Sequence, residues 1–391
     1  MIVCVLLPRF DLVIAAGGRA ALAQGPMALA PEPGRQQVVG EVSQAAEALG
    51  IHPGMRLGEA LARAPRLALI PPDPVGVADA WERVLVRLEA VGAAVESERP
   101  GEACFDAAGL RRLHGGTLDG IVAAVRDALR LPARIGAGPS RFCALAGAAR
   151  ARTRRAHCVR GAQDLAGEPI ALLRRRTEIA HLPVQLERLG VMTVGDLAAL
   201  SRAALADRFG PAGLLAHDLA HGLDRPLQPR TPQEVLEERL ELEEASSGIQ
   251  LERALILLVD RLLARPERRG RTLRAATLAA GLVEGGTWRE RAVFRASTAD
   301  PARMHPALAA RLALLPAPAE SLRLTAEGLS AAPATGPALL EEPAERQRER
   351  LREAVRQART AAGPQAALRV LEVDPDSRIP ERRAVLTPFE G

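Results

Sequence analysis

The chain is 391 residues long and 48% apolar, which suits two to four domains with cores of their own and excludes a disordered chain. Its net charge is +5, every basic residue is arginine, and lysine, asparagine and tyrosine do not occur. Those three types share AT-rich codons, so the arginine excess is read first as GC-rich coding; a basic, nucleic-acid-binding surface is permitted by it but not required.

No stretch approaches the ~20 apolar residues that cross a bilayer, and the N-terminal apolar run stops at Pro8-Arg9, unlike a signal peptide. A cytoplasmic protein without membrane contact is therefore expected. Cys4, Cys104, Cys143 and Cys158 are scattered without CxxC pairing, so they are expected as buried thiols rather than zinc ligands or disulfides.

In chain order, Ile2 to Leu7 is an unbroken apolar run, the pattern of a fully buried central strand. After a Gly/Pro-rich stretch, Ser43 to Pro65 predicts two short helices joined at Gly50 to Gly54. Val77, Trp81, Val84, Leu85, Leu88 and Val91 recur at helical spacing, and Ala93 to Ala107 predicts a hairpin turning at Arg99-Pro100-Gly101. An amphipathic helix over Leu118 to Leu129 leads to a strand from Ala133 to Ala137. This is the element order of a ferredoxin-like sheet covered on one face, with an insertion after its first strand.

Past the basic run Arg150 to Arg155 the chain becomes helical, with two short helices meeting at Gly190. Arg225 to Pro232 is basic and proline-rich, and is expected as an interdomain linker. A second β-α-β-β-α-β set follows: a strand from Val235, a helix capped by Ser246-Ser247, a hairpin at Glu284-Gly285-Gly286, a helix from Pro301 to Leu315 and a strand from Ser321 to Thr325. A charged helix over Glu341 to Ala361 and an apolar run from Leu368 to Val373 close the chain.

Leu7 to Phe10 (LPRF), Leu49 to Pro65, Gly101 to Gly109 (GEACFDAAG), Gly138 to Arg150 (GPSRFCALAGAAR) and LERLGVMTVGDLAAL stand in an order that resembles the Y-family translesion DNA polymerases, most closely their ImuB-like accessory members. The resemblance implies an α+β right hand: a ferredoxin-like palm (1–12 and 73–165), inserted fingers (13–72), a helix-hairpin-helix thumb (166–228), a β-α-β-β-α-β little finger (233–328) and a partner-binding extension (329–391).

Nucleotide addition by such a hand uses two divalent metals, which need a cluster of carboxylates. The resemblance places those acids at Leu6, Pro8 and Gly101-Glu102, so only a vestigial Glu102 remains. It places the triphosphate-gripping residues at Gln44 and Glu47, the second with reversed charge, while Arg141 and Arg152 fall near lysine positions that meet phosphate. No catalytic residue, no metal site and no cofactor are expected, and the chain is read as a non-enzyme, a DNA-binding adaptor in error-prone translesion synthesis. The alternative is a low-activity polymerase with a displaced metal site built from Glu102, Asp106 and Asp11.

For DNA, the hairpin with Arg188, Gly190, Val191, Thr193 and Gly195 is expected to offer backbone N–H groups to a phosphate. Arg289 and Arg291, with Arg271 and Arg274 opposite, are expected to form a basic face whose binding is sequence-independent and salt-sensitive. Few aromatics remain for base stacking. His217 and His221 share a helix face at metal-site spacing but lack a third ligand. The resemblance implies four partners: damaged or primer–template DNA, a sliding clamp met weakly through Leu339 and Leu340, an error-prone C-family polymerase and a RecA-like accessory protein.

Overall fold

The computed structural model describes residues 1–330 except 33, 35, 153, 154, 233 and 234, and beyond 330 it describes 348, 351, 352, 354–356, 358, 359, 363, 366–373 and 378–388. The chain divides into two units, Met1–Gln233 and Glu234–Gly391.

The first unit opens with β1 (Ile2–Leu6) and α1 (Phe10–Ala15), then β2 (Met27–Leu29), α2 (Gln44–Ala48), α3 (Leu57–Arg63) and β3 (Ala68–Ile70). There follow α4 (Pro74–Ala90), β4 (Val95–Arg99), β5 (Glu102–Asp106), α5 (Leu118–Leu129), β6 (Arg134–Gly138), α6 (Arg141–Arg150) and β7 (His157–Cys158). The unit ends in short helices: α7 (Ala162–Leu165), α8 (Leu182–Arg188), α9 (Val194–Ala198) and α10 (Arg202–Ala220), the last kinked at Gly210-Pro211.

The main sheet runs β4-β5-β1-β6-β7, the ferredoxin-like order, with β1 central and antiparallel to both neighbours. Its unbroken apolar run has a physical reason. Val3 and Val5 face a core closed by α4 and α5, with Trp81, Leu88, Ile121 and Val125, while Cys4 and Leu6 face α6 and the short helices. The sheet is therefore covered on both faces, not one.

Helix α6 approaches the sheet closely because three glycines allow it. A Cβ on Gly136 would lie 2.0 Å from the Ala148 nitrogen and 2.2 Å from the Ala144 oxygen, and one on Gly147 would lie 2.5 Å from the His157 oxygen. Gly138 is similarly crowded by Cys143. Cys4, Cys104 and Cys143 are buried as expected, whereas Cys158, at a sheet edge, is exposed. The inserted segment around α2 and α3 has its own small core of Val39, Val42, Ala46, Ile51, Met55, Ala60 and Leu67.

The second unit comprises β8 (Glu237–Ser246), α11 (Ile249–Ala264), β9 (Leu273–Leu282), β10 (Thr287–Thr298), α12 (Pro301–Leu312) and β11 (Ala319–Glu327), followed by the hairpin β12 (Leu368–Glu372) and β13 (Ala384–Pro388). The cap of α11 is Gly248, without a side-chain hydrogen bond, rather than Ser246 or Ser247.

The element order repeats that of the first unit, but the sheet does not: it runs β10-β9-β11-β8, with the first strand at an edge. The reason lies in the strands. The first unit's opening strand is apolar on both faces and must be central, whereas β8 (EERLELEEAS) alternates with glutamate and tolerates an edge. Helices α11 and α12 cover one face around Leu258, Leu262, Leu278, Met304, Leu308 and Leu324.

Candidate functional site

The register at the end of the palm-like sheet decides where acids can stand. Leu6 lies opposite Glu102, and the Leu7 N–H donates to the Gly101 oxygen at 2.8 Å. Gly101 has φ +81°, and a Cβ there would come within 3.1 Å of both the Leu7 oxygen and Phe10 Cβ. Backbone conformation and space both select glycine at the position where the resemblance asks for an acid.

Glu102 is 5% exposed and is held by two arginines, with Arg99 Nε at 3.6 Å and Arg175 Nη1 at 3.3 Å from Oε2. Asp106 lies opposite Ile2, at the far end of the same strand. Four residues of strand, at about 3.3 Å each, put it roughly 13 Å from Glu102. It is spent on the Ala108 N–H and the chain's N-terminal ammonium, which together hold its carboxyl below the usual range. A displaced site using both Glu102 and Asp106 is therefore excluded by geometry.

Asp11, on α1, lines an open cleft of about 650 Å³ shared with Glu32, Val38, Val39, Asp73 and Pro100. Burial raises its carboxyl pKa against a smaller opposing effect of Arg99. Glu41 accepts the Leu12 N–H at 3.0 Å, and burial, with Asp11 alongside, raises it too. Among the described residues, no group of three or more His, Cys, Asp or Glu side chains could hold a metal ion. The side chains present do not fit the two-metal arrangement.

The residues placed against a triphosphate are otherwise engaged or solvent-facing. Glu47 pairs with Arg9 at 2.5 Å, and Gln44 is exposed at the start of α2. Arg141 is not a free cation: it is buried between Glu96 and Glu98. Burial opposes its charge, but Glu98 and Glu96 outweigh burial and raise its pKa. Arg152 is exposed.

The acids of β4 thus serve as arginine receptors. Glu96 also accepts from Arg225 and from the Gln228 N–H. Arg230 reaches Glu82 and Glu89, each at 2.6 Å, and its N–H donates to the Val95 oxygen. The segment expected as an interdomain linker is docked along the palm-like sheet and α4 as far as Arg230.

The helix-hairpin-helix is present as α8, a turn and α9, but its N–H groups are used internally. Gly190 donates to Glu187, Val191 to Leu186, Val194 to Glu168 and Gly195 to Ala166. Met192 and Thr193 donate to the Asp196 carboxylate, which the Thr193 backbone and side chain hold below its ordinary pKa. The turn offers a phosphate no free N–H and an exposed carboxylate; Arg188 is exposed beside it.

In the second unit, Arg289 lies opposite Ala279 and Arg291 opposite Thr277. Arg271 and Arg274 are not opposite them. Arg271 precedes β9 and donates to the Arg268 and Glu267 oxygens, and Arg274 donates to the Arg295 oxygen. The row containing Arg289 instead continues through Ala279 to Arg323 and Arg239. Strand parity relative to Leu278 and Leu324 was the signal that could have found the last two. Arg291 is paired with Glu327.

His217 and His221 stack with ring centroids 4.2 Å apart. Leu339 and Leu340 lie outside the described residues. Sequence reasoning missed Arg9, Glu41, Arg99 and Arg175, because nothing local in a sequence reports which distant charge a side chain meets.

Residues 9–148 match the impB/mucB/samB family. The chain is 28% identical over 265 residues to a protein named DNA polymerase IV from Ralstonia nicotianae, covering 62% of this chain and 70% of that one. It is 28% identical to a DNA polymerase IV from Caulobacter vibrioides, spanning about half (49%) of that relative's length. Solved structures that resemble it include an insertion ternary complex of Dbh DNA polymerase (15% identity, TM-score 0.48, covering 85% of this chain and all of that one) and DinB from Sulfolobus solfataricus (16% identity, TM-score 0.46, 85% of this chain and all of that one). The similarity to the impB/mucB/samB family is confined to residues 9–148. The expectation of a non-enzyme is corrected here: the curated relatives carry the name of a polymerase, which points to an enzyme.

Proposed function

We propose that this chain works on primer–template DNA in damage-tolerant synthesis, as a slow DNA polymerase of the Y-family type. The observation carrying this reading is its 28% identity to a protein named DNA polymerase IV over 62% of this chain. A low rate follows from the palm-like sheet: Leu6, Pro8 and Gly101 stand where acids are expected, and Glu102 is held by Arg99 and Arg175. Of the acids read for a displaced arrangement, Glu102 and Asp11 remain once Asp106 is set aside. In the second unit, Arg289, Arg291 and the row continuing to Arg323 and Arg239 are read as DNA contacts; in the first unit, Arg188 is read as a separate one.

The ImuB-like placement, the clamp contact at Leu339 and Leu340, and the C-family and RecA-like partners rest on sequence resemblance alone. Capture of those partners by the full chain would test them.

The test of activity is primer extension on undamaged and abasic templates with magnesium or manganese, beside a DNA-binding titration. Slow extension abolished by Glu102→Ala or Asp11→Asn is expected. A primer that is bound but never extended at any protein concentration overturns the polymerase reading, as does extension indifferent to both substitutions.

A further inference from the structure

We propose that the outer face of α11 pairs antiparallel with α11 of a second copy of this chain. The inner face of this helix is spent on the core of the second unit, through Leu251, Leu255, Leu258 and Leu262. Its outer face is apolar where a solvated helix is polar: Ile249, Ile256 and Leu257 are 69%, 47% and 40% exposed. Arg253 and Asp260 stand exposed on the same side, and neither has an ion pair among the described residues. Ile249, Arg253, Ile256 and Asp260 follow one another at steps of four, three and four, the spacing of a seam along which two helices pack.

The charges in this seam select the occupant and its direction. A parallel copy would set Arg253 against Arg253 and Asp260 against Asp260. An antiparallel copy, turned about a twofold axis between Ile256 and Leu257, sets each Arg253 against Asp260 of the other helix, because the two lie equally far from that axis. Ile256 then meets Ile256 of the second copy, and Leu257 meets Leu257. The face is complementary to itself, which is what a closed twofold pair requires. Two charged positions in an otherwise apolar seam fix register and direction at some cost in affinity. The sixteen residues of α11 make a helix about 24 Å long and 10–12 Å across. One such pair covers less than the roughly 800 Å² per partner of a stable interface, so a weak, concentration-dependent dimer is expected.

The test is sedimentation equilibrium of the full chain over a range of concentrations, without DNA, each variant first checked for folding by circular dichroism. Wild type is expected to pass from monomer to dimer as concentration rises. Arg253→Asp and Asp260→Arg each set like charges face to face and should weaken the dimer at least about tenfold. The double variant Arg253→Asp/Asp260→Arg restores opposite charges and should return close to the wild-type dissociation constant. Ile256→Asp keeps both charges but places two acids together at the axis, and should also abolish the dimer.

A chain that stays monomeric at every concentration overturns the proposal. So does a dimer indifferent to any of the three single substitutions, or one that the double variant fails to restore. Self-association is read without nucleotide or primer, so it stands or falls apart from the polymerase reading.

Discussion

Arg176 and Asp224 form an ion pair from which water is excluded, Nη1 to Oδ2 at 2.9 Å, with side chains 1% and 0% exposed. The same Asp224 oxygen accepts the Phe142 N–H at 3.1 Å, at the start of α6. One carboxylate therefore joins the entry to the short helices, the first turn of α6 and the segment docked on the palm-like sheet. Removing one partner of a buried pair leaves the other charged and unpaired. Asp224→Ala is expected to cost roughly 3–5 kcal/mol, read as a lower urea midpoint at unchanged slope. A wild-type midpoint would show that the pair contributes nothing.

The close approach of α6 gives a second expectation. Gly136→Ala forces a methyl group into the backbone of α6, so a loss of about 1–3 kcal/mol or more is expected. Gly54→Ala offers a contrast: no atom lies within 4 Å of the added carbon, and its φ of +84° leaves backbone strain as the only cost. Thermal unfolding of the pair separates crowding from strain, and equal melting temperatures would remove the crowding argument.

Asp11 and Glu41 set a pH dependence. Burial raises both carboxyl pKa values above their ordinary ones, so the folded state binds protons more readily than the unfolded chain. Their favourable contribution is complete below the ordinary carboxylate range and is lost as pH rises through the raised values. Glu41→Gln keeps an acceptor for the Leu12 N–H and should remove part of that slope, making the variant relatively more stable at neutral than at acid pH. Parallel stability–pH curves for variant and wild type would refute the assignment.

DNA binding should separate the two candidate surfaces. Arg289→Ala is expected to weaken binding alike on all sequences and to lower the slope of log affinity against log salt by about 1. Thr193→Ala removes a capping box and should cost about 1 kcal/mol of stability with little change in DNA affinity, because the hairpin N–H groups already have acceptors. A large affinity loss in a folded Thr193→Ala would restore the hairpin as a phosphate site.

The sequence by itself determined many of the elements, though not α1, β2, β3, α6 or β7. The unbroken run Ile2 to Leu7 reads as a fully buried central strand, Arg99-Pro100-Gly101 as the turn of a hairpin, and helical spacing placed α4, α5 and α11, because burial imprints periodicity on a chain. That the sheet is covered on both faces and not one came from the structure. The resemblance also implied that acids are replaced at Leu6, Pro8 and Gly101, since identity at a motif position is local. Only the tertiary structure decided what the remaining charges do. Glu96 and Glu98 meet Arg141 and Arg225, Glu102 meets Arg99 and Arg175, and Arg230 meets Glu82 and Glu89. It also decided that the hairpin's N–H groups are spent and that two units with one element order build differently ordered sheets. Periodicity records that a side chain is buried or exposed; which partner it meets depends on where segments far apart in sequence are brought together.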